Sequence, residues 1–193
     1  LHGPHSYQPA STDGELLPIV DENDVVVGAA TRREVHQRSL RHRAVHCVVT
    51  DGAGRVLFQL RSPRKDMYPG WWDISMGGHV NAGEEYEAAV LRELREELGI
   101  AAPEAVREVA RKPPTPLSGW EFVRIYECVH TGALAPDPEE VVAAHWADAR
   151  DVLAGAPVDP AAPARGVTPS GLDSIRLWAT ATGLLPPEPP PRA

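Results

Sequence analysis

Three carboxylates close together, Glu93, Glu96 and Glu97, are the residues of this chain best placed to do chemistry. Between Glu84 and Leu98 there is no proline or glycine, Ala88, Ala89 and three leucines favour a helix, and Gly99 supplies a left-handed stop. On such a helix Val90, Leu91, Leu94 and Leu98 share an arc about 100° wide that suits a core, and the three glutamates share the arc beside it. Glu97 lies nearest the apolar edge. Like charges at i, i+3 and i, i+4 cost about 0.2 to 0.5 kcal/mol each, so clustering them stabilises nothing unless a cation binds. Hard cations such as magnesium take oxygen ligands and keep waters that phosphate oxygens replace. Carboxylates at a pocket edge can hold such an ion against a diphosphate and orient an attacking water. Alone, an acidic helix face would be ordinary solvated surface.

The elements that must carry this helix follow from patterning. Residues 1–14 are polar and turn-rich and read as a flexible tail. LLPIV and VVVGAA flank Asp21 to Asp24 as a hairpin, and Thr31 with Glu34 forms a capping box for a brief helix through about Arg38. Arg41 to Thr50 and Arg55 to Leu60 are apolar, β-branched runs joined by Asp51-Gly52-Ala53-Gly54, a hairpin signal. A basic loop, Arg61 to Gly70, leads through two tryptophans to Gly77-Gly78. Strands are expected over 105–111, 120–130 and 141–146, with a short helix over 148–153 and a closing helix over 168–182 that starts Thr-Pro. Residues 155–166 read as a surface loop, and 184–193 as a proline-rich disordered tail. This is the pattern of an α/β sandwich forming one domain over 15–183, with an extension (15–40), a core (41–154) and a C-terminal helix.

Composition narrows the partners. With 19 basic against 27 acidic residues, a net charge of -8 argues against a nucleic-acid polymer or a membrane surface as partner. Cys47 and Cys128 both lie in apolar alternating runs, which suits reduced, buried thiols in a cytoplasmic protein.

From Gly78 onward the chain fits G-x5-E-x7-R-E-U-x-E-E-x-G-U at every position, through Glu84, Arg92-Glu93, Leu94, Glu96-Glu97, Gly99 and Ile100, with U a bulky aliphatic residue. It therefore resembles a Nudix hydrolase. The resemblance implies a mixed β-sheet between helices and metal-dependent hydrolysis of a phosphoanhydride bond in a small diphosphate-containing compound. The implied substrate is a nucleoside di- or triphosphate or a nucleoside diphosphate derivative. It also implies Mg2+ or Mn2+ held by Glu93, Glu96, Glu97 and the Gly77 carbonyl, with Arg92 and Glu84 orienting the loop and the carboxylates.

A second resemblance extends beyond this box. The pieces LRHRAVHCVV, LRSPRKDMYPGWWDIS and GGHV are similar to isopentenyl-diphosphate isomerase and its hydrolase relatives, which share an N-terminal extension. That similarity implies that Arg61 and Lys65 grip a diphosphate, Arg as a fork and Lys as a point charge. It sets His42 and His79 at metal-histidine positions and Glu121 at an active-site glutamate. The chain departs from the isomerase at its catalytic cysteine, which is Gly77 here, and at its second acidic partner, which is Gly119. Its Glu93, Glu96 and Glu97 are intact where the isomerase box is degenerate. Hydrolysis is therefore favoured over isomerisation, and over a catalytically silent nucleotide-sensing domain. Glu121 shares a strand face with Val123 and Ile125 and is a candidate general base beside the box glutamates, completing a catalytic set with Arg92, Glu93, Glu96 and Glu97.

Overall fold

A computed structural model describes residues 14–65, 67–162 and 165–187, apart from the side chain of Leu117. The N-terminal tail reading falls almost wholly outside these residues. In chain order the elements are β1 (Leu16–Val20), β2 (Val26–Thr31), α1 (Arg32–Arg38), β3 (His42–Thr50), β4 (Arg55–Arg61), β5 (Trp71–Asp73), β6 (Met76–His79) and α2 (Tyr86–Leu98). They continue with β7 (Glu104–Lys112), β8 (Glu121–Val129), β9 (Val141–Asp148), α3 (Ala149–Leu153), β10 (Arg165–Val167) and α4 (Pro169–Ala181).

Local chemistry sets most of these boundaries. The β1–β2 turn is closed by the Asp21 carboxylate, which accepts from the Asn23 and Val25 amides. Thr31 and Glu34 cap α1 reciprocally, Asp148 caps α3 and Thr168 caps α4. Helix α2 begins two residues later than expected, which leaves Glu84 in the preceding loop, and it ends on Gly99 in the left-handed conformation at φ 71°.

The main sheet is mixed, and β3 is its axis. It pairs in parallel with β8 along its whole length and antiparallel with β6. The expected β3–β4 hairpin is corrected here: the two strands pair only at Thr50–Val56, beside the turn. Strand β4 then peels away to pair with β9 and β5. Both strands are apolar on both faces, so each takes a central place, and a turn they share does not oblige them to share a ladder.

Alternation along the strands divides the core into two layers. Ala44, Val48, Val56 and Phe58 pack with Ile175 and Trp178 of α4. Val45, Cys47, Val49 and Leu57 pack with Leu94 and Leu98 of α2. The molecule is thus an α/β sandwich, as the patterning predicts. Cys47 and Cys128 are free and buried on neighbouring strands, their sulfurs 3.8 Å apart.

Two further boundaries shift. The segment read as surface loop ends in β10, which pairs in parallel with β5, and Val158 within it is buried. Leu184 and Leu185 pack against the α4 side of the core, and the Leu185 amide donates to the Ala179 carbonyl at 2.9 Å. The disordered tail drawn from 184 therefore starts too early, because two leucines beside an open core edge bury readily. Residues 188–193 lie outside the described residues. Among the described residues no helix is long and apolar enough to cross a membrane.

Candidate active site

Helix α2 turns two of its glutamates inward. Its buried residues are Tyr86, Ala89, Val90, Glu93, Leu94, Glu97 and Leu98. At about 100° per residue, Glu93 and Glu97 fall in the middle of that arc. The expected core face is corrected accordingly: Leu91 is 47% exposed. The helix is rolled so that these carboxylates meet β6 and β4, which carries Leu91 out to solvent. Glu96 stays near the surface.

Gly78 of β6 packs directly against the helix. A Cβ on Gly78 would lie 2.2 Å from the Glu93 carboxyl carbon, so only a bare backbone can approach that closely. Arg92 ties loop and helix together. Its Nε and Nη2 donate to the two Glu84 oxygens at 2.9 and 3.0 Å, and Nη1 donates to Glu93 at 2.8 Å and Glu96 at 3.0 Å. Nη2 also donates to the His79 carbonyl at 2.9 Å, and Glu84 accepts from the Asn81 amide. Burial pushes the Glu97 carboxyl up to about 7, and the Glu93 charge adds to this. Burial raises Glu93 too, with the Arg92 guanidinium opposing.

The basic loop reaches the same place. Lys65 pairs with Glu140 and Arg64 with Glu139, which binds the loop to the segment before β9. Burial lowers the Lys65 ammonium, while the charges of Glu97 and Glu93 act in the opposite sense. Arg61 is held by its own surroundings: Nη1 donates to Asp73 at 3.2 Å, and Nε and Nη2 donate to the Met67 carbonyl. Both cations act electrostatically on Glu97.

Sequence reading missed Gln59. It is 4% exposed, and its Nε2 donates to Glu97 Oε2 at 3.2 Å. The available signal was a polar residue inside an otherwise apolar strand.

A second polar group lies on the other side of β6. Glu121, in register with His42 across β3 and β8, has Oε1 3.7 Å from His42 Nε2 and 3.5 Å from His79 Nε2. His36 of α1, also missed, completes the group, and the nitrogens of the three histidines lie within 4.8 Å of one another. His42 donates from Nδ1 to the Leu40 carbonyl at 2.9 Å, which turns its Nε2 toward Glu121. Nε2 of both His42 and His79 is buried without a hydrogen-bond partner. His36 is exposed at the rim of the group, and partial burial and then the neighbouring imidazoles push it down to about 4. Burial alone would raise Glu121, but the imidazoles facing it hold it well below the usual carboxylate range. Glu121 is thus set against the histidines, and its described contacts include none of the box glutamates.

Comparison with known proteins agrees with the fold. Residues 40–167 match the NUDIX domain. An uncharacterized Nudix hydrolase of Yersinia pestis is 35% identical over 167 residues, 86% of each chain. The crystal structure of DR0079 from Deinococcus radiodurans is similar at a TM-score of 0.70 and 30% identity, over 85% of this chain and 99% of that one. The NUDIX domain of Shewanella oneidensis NrtR, solved with ADP ribose, shares the fold at a TM-score of 0.56 and 20% identity, over 80% of this chain and 99% of its own. The chain belongs to the Nudix family. It is a pyrophosphohydrolase, acting on acid anhydrides of phosphorus-containing compounds.

Proposed function

We propose that this enzyme cleaves a phosphoanhydride bond in a nucleoside di- or triphosphate or a nucleoside diphosphate derivative, with Mg2+ or Mn2+ as cofactor. The observation that carries the reading is the pair of buried carboxylates, Glu93 against Gly78 and Glu97 against Gln59, each raised by burial. Two such groups favour a cation between them, and an all-oxygen donor set fits a hard one. Glu93, Glu96, Glu97 and the Gly77 carbonyl would hold it. The ion, when bound, supplies charge to the phosphate oxygens and acidifies the attacking water.

The protein's own groups do the rest. Arg92 and Glu84 keep the loop and carboxylates in place. Lys65 receives a terminal phosphate oxygen in exchange for Glu140, and Arg61 adds its charge beside it. A box glutamate takes the proton of the attacking water, since Glu121 faces the histidines. Fixed charge aimed at the phosphate accounts for most of the acceleration. Free, buried Cys47 and Cys128 suit a cytoplasmic setting.

The histidine group supports membership of the branch that resembles isopentenyl-diphosphate isomerase. Its two bare, buried Nε2 atoms fit a borderline cation at the place where that resemblance sets metal histidines. Isomerisation itself is disfavoured by Gly77, where a Cβ would already stand 3.2 Å from the His46 ring.

The test is a magnesium-dependent hydrolysis screen over nucleoside di- and triphosphates, nucleotide sugars, dinucleoside polyphosphates, coenzyme A and isopentenyl diphosphate. ADP ribose leads the derivatives, because the NrtR domain accommodates it on the same fold. Glu97→Gln serves as the blank. Turnover lost in the variant is expected; turnover that survives it overturns the reading, and binding without turnover supports a silent sensor.

A further inference from the structure

We infer that Gln59 is the positioning residue of Glu97, a neutral donor that fixes one oxygen of the carboxylate and leaves its charge for the cation. The inference rests on Glu97 being a metal ligand.

Strand alternation places the side chain. Val56, Phe58 and Leu60 face the α4 side of the core, so Leu57 and Gln59 face the α2 side. Leu57 is apolar core there, and Gln59 is the next residue along that face toward the glutamates. Its backbone is flanked on both sides, by Asp73 of β5 and Ala144 of β9. A strand held on two edges is a firm base for a side chain. Burying an amide without a partner costs about 1 to 3 kcal/mol, so a glutamine on this face calls for an acceptor. Its described side-chain partner is Glu97.

The two inward glutamates are oriented by different means. Glu93 is held by the Arg92 guanidinium, which also offsets its charge. Glu97 is held by an amide, which fixes direction without neutralising anything. A cationic donor in its place would compete with the metal for the same oxygens. The neutral bond to Oε2 leaves Oε1 free of that anchor and brings no charge of its own. Hydrogen bonds that orient ligating carboxylates are worth about 10- to 100-fold in metal affinity or activity.

The experiment measures kcat at saturating substrate against Mg2+ concentration, together with KM and the melting temperature. Gln59→Met keeps length and burial and removes the donor, and Gln59→Leu is a second variant should the first fold poorly. The Mg2+ activation constant is expected to rise about 10- to 100-fold, with KM little changed and kcat recovered at high Mg2+. Gln59→Lys is expected to stay inactive at every Mg2+ concentration, because its ammonium competes for Glu97. An activation constant within about twofold of wild type overturns the inference. So does a kcat deficit that no Mg2+ concentration restores in a variant of lowered melting temperature, which would mark a purely structural glutamine. Retained turnover in Glu97→Gln would instead overturn the metal reading itself; an inactive Glu97→Gln beside an unaltered Gln59→Met removes only the role of Gln59.

Discussion

Replacing Glu97 with glutamine should silence the enzyme and also stabilise its metal-free form above neutral pH. Glu97 is 6% exposed, and burial first, then the Glu93 charge, raises it from 4.5 to about 7. The folded protein therefore holds this proton more tightly than the unfolded chain does. Its stabilising contribution is fully present below about pH 4.5 and is lost as pH rises through about 7. A displacement of that size corresponds to about 3 kcal/mol. In a domain of this length each kcal/mol moves the melting temperature by roughly 2 to 4 °C. In a chelator at pH 8, Glu97→Gln should thus melt roughly 6 to 12 °C above wild type, and near pH 4.5 the two should coincide. Glutamine retains a carbonyl oxygen to accept from Gln59, and its amide can donate toward Glu93. Saturating Mg2+ should close the gap by stabilising wild type alone. Differential scanning fluorimetry over a pH series reads all of this. A variant that melts at or below wild type at pH 8, or a difference that ignores pH, would refute the reasoning.

Other substitutions probe the remaining parts. Gly78→Ala adds a methyl where the Glu93 carboxyl sits, so Mg2+ binding measured by calorimetry and turnover should both be lost. Arg92→Lys keeps a charge but loses the fork shared among Glu84, Glu93, Glu96 and the His79 carbonyl, and kcat should fall about 100-fold. Lys65→Ala should raise KM for the diphosphate substrate about 10-fold, whereas Glu140→Gln should lower it by freeing the lysine. Steady-state kinetics separate these last two, and equal effects of the same sign would refute the exchange of Glu140 for phosphate.

Much of the site could be read before any coordinates because it is local. The helix, its Gly99 stop and the spacing from Gly78 to Ile100 are all set within one loop and one helix, and the capping box at Thr31 and Glu34 is equally short-range. What escaped depends on distant neighbours. Periodicity marks Leu91 as core because it is apolar; it cannot anticipate that Gly78 and Gln59 would receive Glu93 and Glu97 instead. The β3–β4 turn is legible, but the ladder beyond it is decided by competition from β8, β6, β9 and β5. Strands of three or four residues such as β5, β6 and β10 are too short to show a period. His36 reads as one more residue of a surface helix, and although it stays exposed, its ring meets those of His42 and His79 only once α1 docks.

The saturation of Arg92 bears on how the proposed cation would be held by the protein. A guanidinium has five N–H groups, and the five hydrogen bonds to Glu84, Glu93, Glu96 and the His79 carbonyl engage the whole fork. The carboxylates of the proposed site are therefore oriented by the chain's own hydrogen bonds. Such a site behaves less like a zinc finger, whose metal is the keystone of its fold, than like a socket into which a reagent is loaded at each cycle. On the proposed reading, a cation would enter a site whose carboxylates Arg92 already orients, and its arrival would call for no refolding of the segment around Gly78.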